Sequence, residues 1–281
     1  MNEFISAFKQ SLKKLDIKNG DVVYVASDAT LLLSEARKKL DVKSSQQRDE
    51  FLNQVVDVLK ECVGDNGTLL FPVFTWDFCR GKDFDIASTK GETGALSNWV
   101  LAKRSDFKRT QHPIYSFMVW GKDSELLVNM TNKDSWGKES PFYYLHKQQA
   151  KLLLLNVSLQ RGFTFMHYVE QSIKVPYRYH KEFKSSYIDE NGNLSERIYS
   201  MYVRDLAIES KEHLPEEFLD SRGITKVSNL DKLTLRIVDL NKAYDIVAAD
   251  YLHNQGKNCY IFTNYEIDWT KGQTHNDQIS N

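Results

Sequence analysis

Four short runs, DVVYVAS at 21–27, GTLLFPVF at 67–74, YSFMVW at 115–120 and KLLLLNVS at 151–158, are apolar almost throughout, with little polar alternation. A strand with one wet face alternates apolar with polar residues, whereas an unbroken apolar strand must be covered on both faces. Turn signals precede two of the runs, Asn19-Gly20 and Asn66-Gly67. Helical spacing supplies the covers. Phe4, Phe8, Leu12 and Leu15 make one amphipathic stripe, and Phe51, Val55, Leu59 and Cys62 make another that Gly64 closes. Buried strands between helices define a layered α/β arrangement.

The chain changes character after residue 180. YIDENGNLSERIYSMYVR places Asn191-Gly192 between two alternating segments, the strongest short signal for a hairpin. TLRIVDL at 234–240 reads as a strand, Ala243, Ile246, Val247 and Tyr251 mark a helix, and CYIF at 259–262 is a short strand. The polar ending THNDQISN, 274–281, reads as a frayed tail. No solenoid period and no Pro/Gly/Ser-rich linker divides the chain. The expected fold is therefore α/β in one domain over 1–281: a mixed sheet flanked by helices, with an antiparallel hairpin excursion around 181–204.

Charge and cysteine usage exclude several classes. Lys and Arg total 37 against 38 acids, so no overall field invites nucleic acid or an anionic membrane surface. The longest apolar runs are too short to span a bilayer, and the first fifteen residues mix charges with spaced apolar residues, unlike a secretion signal. A cytoplasmic protein is expected, which makes the sequons at Asn129 and Asn156 incidental. Cys62, Cys79 and Cys259 form no C-x-x-C pair, so neither a disulfide framework nor a metal site is expected. The Walker loop, the dinucleotide glycine fingerprint, H-E-x-x-H and the G-x-S-x-G elbow are all absent.

What remains is FTFMHYVEQ at 163–171. On a helix, His167 and Glu170 share a face. They are either a buried histidine satisfied by its neighbour or a base tuned by a carboxylate.

Further segments recur in a particular order: GDVVYVASD (20–28), GTLLFPVFTWDF (67–78), STKGETGALSNW (88–99), RTQHPIYSFMVWG (109–121), WGKESPFYYL (136–145), LLLLNV (152–157) and TFMHYVE (164–170). Together they resemble the aminoglycoside 3-N-acetyltransferase family, which transfers an acyl group from coenzyme A to a sugar amine. The likeness runs from about residue 20 to about 180. Departures are Thr110, Trp136-Gly137, Asn156 and Phe163-Thr164, which replace the family's usual serine, Phe-Gly, glycine and Asn-Thr. The stretch FTWDFCRGKDFD is closer to members acting on nucleotide-linked amino sugars of surface polysaccharides than to drug-modifying members.

The resemblance implies that His167 is the catalytic base, because an ammonium must lose a proton before its nitrogen can attack a thioester. Glu170 would orient it, or would instead face outward toward Lys174. Asp77 and Asp28, in loops after strands, are candidate amine anchors or loop-capping carboxylates. Trp76 would stack on a sugar or pack in the core. The Ser27 to Thr30 turn can offer amides to the phosphates of coenzyme A. Arg109, His112 and Ser116 fall in the element resembling the coenzyme-proximal segment, although His112 before Pro113 can also simply order a turn. Thr164 or a backbone amide would stabilise the oxyanion. A cysteine relay through Cys79 is disfavoured against direct attack. The expected activity is N-acylation of a small-molecule amino sugar, nucleotide-linked by preference, with no nucleic-acid or membrane partner and self-association left open. Drug acetylation and a non-catalytic coenzyme-A-binding scaffold are the alternatives.

Overall fold

Both amphipathic stripes form helices with their apolar residues buried, except that Leu15 lies just past its helix and Cys62 is half-buried. The computed structural model describes residues 2–263 and 267–270, so the polar ending at 274–281 lies outside the described residues. Helix α1 (Asn2–Lys14) is followed by β1 (Val22–Ser27), α2 (Ala29–Leu40) and α3 (Ser45–Val63). A reciprocal capping box between Ser44 and Gln47 opens α3. Next come β2 (Thr68–Phe74), the two-residue β3 (Phe84–Asp85), α4 (Ala95–Lys103), the two-residue β4 (Lys108–Arg109), β5 (Tyr115–Gly121) and α5 (Ser124–Val128). They lead into α6 (Pro141–Lys147), β6 (Lys151–Leu155), α7 (Leu159–Gly162) and α8 (Phe165–Ile173). The hairpin strands β7 (Arg178–Ile188) and β8 (Leu194–Arg204) precede β9 (Ser210–Glu212), α9 (Glu216–Asp220), β10 (Thr225–Leu230), β11 (Leu233–Asp239), α10 (Leu240–Asn254) and β12 (Tyr260–Phe262).

All four apolar runs lie in one seven-stranded sheet of order β10-β11-β6-β1-β2-β5-β4. β1 is parallel to β2 and β6, and the other pairings are antiparallel. The sheet is mixed, as expected, and each face has its own core. Val23 and Val25 point into a layer with Phe8 of α1 and Phe51 and Val55 of α3. Tyr24 and Ala26 point the other way, among Phe142 of α6, Phe165 of α8 and Tyr251 of α10. Two-sided burial is why these strands show no alternation in sequence. Among the described residues, no helix is long and apolar enough to cross a membrane.

Two differences from the sequence expectation bear on the site. β6 stops at Leu155, three residues before the apolar run ends, because Asn156 takes a left-handed φ of 54°. Asparagine tolerates that conformation better than most residues, and the turn it makes carries Val157 out of the ladder. The hairpin starts at Arg178 rather than 181, with Arg178 opposite Arg204. Its turn uses Gly192 at φ 79°, and the Asp189 side chain accepts from the amides of Asn191 and Asn193. The three extra residues bring an arginine to the sheet side of α8.

Candidate active site

The parallel strands β1, β2 and β6 end on the same side of the sheet, where α/β folds gather ligands. A cleft of about 330 Å³ lies there, lined by Ser27 at the end of β1 and Asp28 after it, Phe74 at the end of β2, Val157 after β6, and Thr164 at the start of α8. Two helices begin at its wall. Asp28 caps α2, its carboxylate accepting from the Thr30 amide at 2.9 Å, and α4 starts at Ala95 after Gly94, whose φ is 78°. Helix N-termini present unpaired amides to anions. Ser27 Oγ and Thr93 Oγ1, both on the cleft lining, are buried without a hydrogen-bond partner, and Arg161 adds a cation to the wall. Amides, orphan hydroxyls and one guanidinium suit a pyrophosphate-bearing group such as coenzyme A.

One helical turn past Thr164 stands His167, its side chain 19% exposed. Its Nδ1 is 2.7 Å from Oε2 of Glu170, which is fully buried. A carboxylate can only accept, so the Nδ1 hydrogen points at Glu170 and Nε2 keeps its lone pair. Arg178 Nη2 lies 3.1 Å from the same Nδ1, but that nitrogen already carries its hydrogen toward Glu170, so the contact is packing. The Trp136 ring, centroid 5.2 Å away, flanks the imidazole.

Glu170 is in turn held on every side. Tyr177 donates to Oε1 at 2.5 Å and Tyr251 at 3.1 Å, while Arg178 Nε pairs with Oε2 at 2.9 Å. Burial raises the carboxyl's pKa, but the charge of Arg178 and the hydrogen bonds from His167 and Tyr177 outweigh it and bring the group down to about 2. An ionised carboxylate on Nδ1, and no hydrogen-bond partner on Nε2 among the described residues, are what an oriented base would require.

The pattern of elements around this pair agrees with known proteins. The family model for aminoglycoside 3-N-acetyltransferase matches residues 40–252. This chain belongs to the aminoglycoside 3-N-acetyltransferase family. A curated relative, the SPbeta prophage-derived aminoglycoside N(3')-acetyltransferase-like protein YokD of Bacillus subtilis (strain 168), is 26% identical over 157 residues. That match spans about half of each chain, 54% of both. Among solved structures, sisomicin-bound AAC-VIa superposes with a TM-score of 0.68 at 16% identity, covering 89% of this chain and 98% of that one. The binary complex of AAC-IIIb with CoASH gives 0.68 at 16%, covering 93% and 98%, and the crystal structure of YokD from Bacillus subtilis gives 0.66 at 20%, covering 89% and 99%. At such identities these likenesses concern the fold.

Not every residue expected at an acetyltransferase site is gathered here. Ser27, Asp28 and Thr30 line the cleft. Asp77 does not, and it is paired with Arg80 at 3.0 Å and Lys82 at 2.9 Å, which hold its carboxyl below the usual range. Its neighbour Trp76 is half-buried, donating from Nε1 to Tyr115 at 3.3 Å. Glu92, within the STKGETGALSNW segment, lines the cleft while accepting from the Trp76 amide and pairing with Arg80. Tyr177, Arg178 and Tyr251 were missed, because nothing local marks a residue whose partner is another element. Burial pushes the Cys79 thiol up to about 12, leaving little thiolate for a relay.

Arg109, His112 and Ser116 lie away from this cleft. Ser116 accepts from Arg109 Nε and donates to the Val73 carbonyl. His112 is buried and orders the turn after Pro113, its Nδ1 facing the amides of Ile114 at 3.3 Å and Tyr115 at 3.2 Å. Burial lowers its pKa from 6.5 to about 3. Below pH 6.5 the unfolded chain takes up this proton and the folded chain does not. Stability is therefore whole above 6.5 and drains as pH falls toward about 3, by ~1.4 kcal/mol per pH unit. Denaturation midpoints between pH 7 and 4 should show a flatter slope for His112→Asn, whose amide oxygen can replace Nδ1; an unchanged slope would remove His112 from the account.

Proposed function

We propose that this protein is an acetyl-coenzyme-A-dependent N-acetyltransferase acting on a primary amine of an aminoglycoside-type amino sugar. The observation that carries it is the His167–Glu170 pair one turn beyond a cleft suited to the coenzyme's phosphates. The α2 and α4 N-termini, Ser27, Thr93 and Arg161 would hold the coenzyme, which supplies an activated acyl thioester. His167 Nε2 takes the proton that the acceptor nitrogen loses as its bond to the carbonyl carbon forms. Glu170 keeps Nδ1–H in place and stabilises the imidazolium that results. Thr164, on the cleft rim at the start of α8, offers a hydroxyl for the developing oxyanion. As the tetrahedral carbon collapses, the C–S bond breaks and the imidazolium returns its proton to the departing thiolate.

The relatives favour an aminoglycoside over the nucleotide-linked sugar that the FTWDFCRGKDFD stretch suggested: AAC-VIa is solved with sisomicin bound. One observation supports keeping the nucleotide-linked acceptor as a second reading. The two carboxylates of the cleft, Asp28 and Glu92, are already engaged by the α2 cap and by Arg80, and a polycation needs several free acids. Thiol release from acetyl-coenzyme A should be measured with sisomicin, gentamicin and a uridine-diphosphate-linked amino sugar in parallel. Release with an aminoglycoside is the expected result. Release with the nucleotide-linked sugar alone would transfer the proposal to the second reading, and none with any amine would overturn both.

A further inference from the structure

Three arginines are buried among the described residues, and they are not treated alike. Arg178 is paired with Glu170, and Arg236 with Glu216 and Asp220. Arg109, 8% exposed on edge strand β4, forms no ion pair among the described residues. Its Nε donates to Ser116 Oγ at 3.0 Å and its Nη1 to the carbonyls of Ile86 at 3.1 Å and Thr89 at 2.7 Å. Nη2 has no acceptor. Asp85 acts on the guanidinium from a distance, but its oxygens are committed to the Ala87 amide and the Ser88 hydroxyl. With no adjacent counter-charge, burial pulls Arg109 down to about 10.

Arg109 lines a cavity of about 580 Å³ between the ends of α4 and α5 along β4. This cavity shares no lining residue with the cleft near His167. Its other cations are already matched: Lys103 by Asp49, Arg104 by Asp57 and Asp106, and Lys108 by Glu125. Glu190 is the one acid on its wall, and Leu101, Phe107 and Met118 supply apolar surface. We propose that this cavity binds a small organic anion, a carboxylate or phosphate monoester on an apolar body, with Arg109 as its counter-charge, at a site separate from the acyl-transfer cleft. The volume is that of a small-molecule site. Hydrogen bonds and the Phe84 ring, 4.7 Å from the guanidinium carbon, solvate Arg109 in part, but a buried cation without a counter-charge remains costly, and an anion entering beside it lowers that cost. Carboxylate and phosphate are also the groups whose geometry a guanidinium matches.

The same chemistry has a second source, the phosphates of coenzyme A, and the test separates the two. Octanoate, octyl phosphate and octan-1-ol would be titrated calorimetrically into the full chain, with and without saturating coenzyme A. Both anions should bind about 10-fold or more tightly than the alcohol, the margin expected of a hydrogen bond to a charged group, and coenzyme A should leave them in place. Arg109→Gln should abolish the preference for the anions. Should that variant fail to fold, Ala102→Trp, at an exposed position on the cavity wall, should weaken both anions by about 10-fold through steric filling alone. Equal binding of octanol, indifference to Ala102→Trp, or displacement by coenzyme A would each overturn the separate site, the last by assigning the cavity to the coenzyme.

Discussion

Asparagine in place of His167 is expected to lower kcat for acetyl transfer by at least ~10²-fold while leaving acetyl-coenzyme A binding within about 2-fold of wild type. The asparagine amide can still donate toward Glu170, so the buried carboxylate keeps a partner and the fold is not asked to change. What disappears is the lone pair on Nε2, the one atom of this pair not already engaged. Without it no side chain takes the proton that the acceptor nitrogen loses as its bond to the carbonyl carbon forms, and that proton must go to water. Thiol release gives kcat, and calorimetric titration of the coenzyme gives its affinity. A variant that binds the coenzyme normally and turns over at the wild-type rate would reduce His167 to a packing residue beside Trp136.

Much of the architecture was legible because each element carried a local signature. VVYVA and TLLFPVF are apolar on both faces, and the structure buries them in the centre of a mixed sheet. Asn191-Gly192 marked the hairpin because a tight reversal needs residues that tolerate positive φ. The short edge strands β3, β4 and β9 were not legible, since two or three residues cannot display a period. At the site, His167 and Glu170 were visible as a helical i, i+3 pair, and Ser27 to Thr30 as a strand-to-helix turn. Arg178 was invisible for a physical reason. An arginine at the head of an aromatic strand looks solvent-facing, and only the packing of that strand against α8 brings its guanidinium to Glu170. Asp77 is a similar case: nothing local in the sequence shows that the fold pairs this loop acid with Arg80 and Lys82.

That hidden partnership yields the largest expected effect on stability. Glu170→Ala strands the Arg178 guanidinium in a site from which water is excluded, and removing one member of a buried pair costs ~3–5 kcal/mol. The titration of the carboxyl points to a similar size. A shift from 4.5 to about 2 in a fully buried group corresponds to about 3 kcal/mol. Because the folded pKa lies below the unfolded one, this contribution is whole above about pH 4.5 and is lost as pH falls through about 2. Glu170→Ala should therefore lower the denaturation midpoint strongly at pH 7 and weakly near pH 2. Adding Arg178→Met, which removes the stranded charge and fills its space with an apolar chain, should restore most of the lost stability at pH 7. Acetyl transfer should stay low in that double variant, since nothing then holds the Nδ1 hydrogen of His167. Equal losses at both pH values, or no recovery on adding Arg178→Met, would mean that the pair is not what stabilises the ground beneath α8.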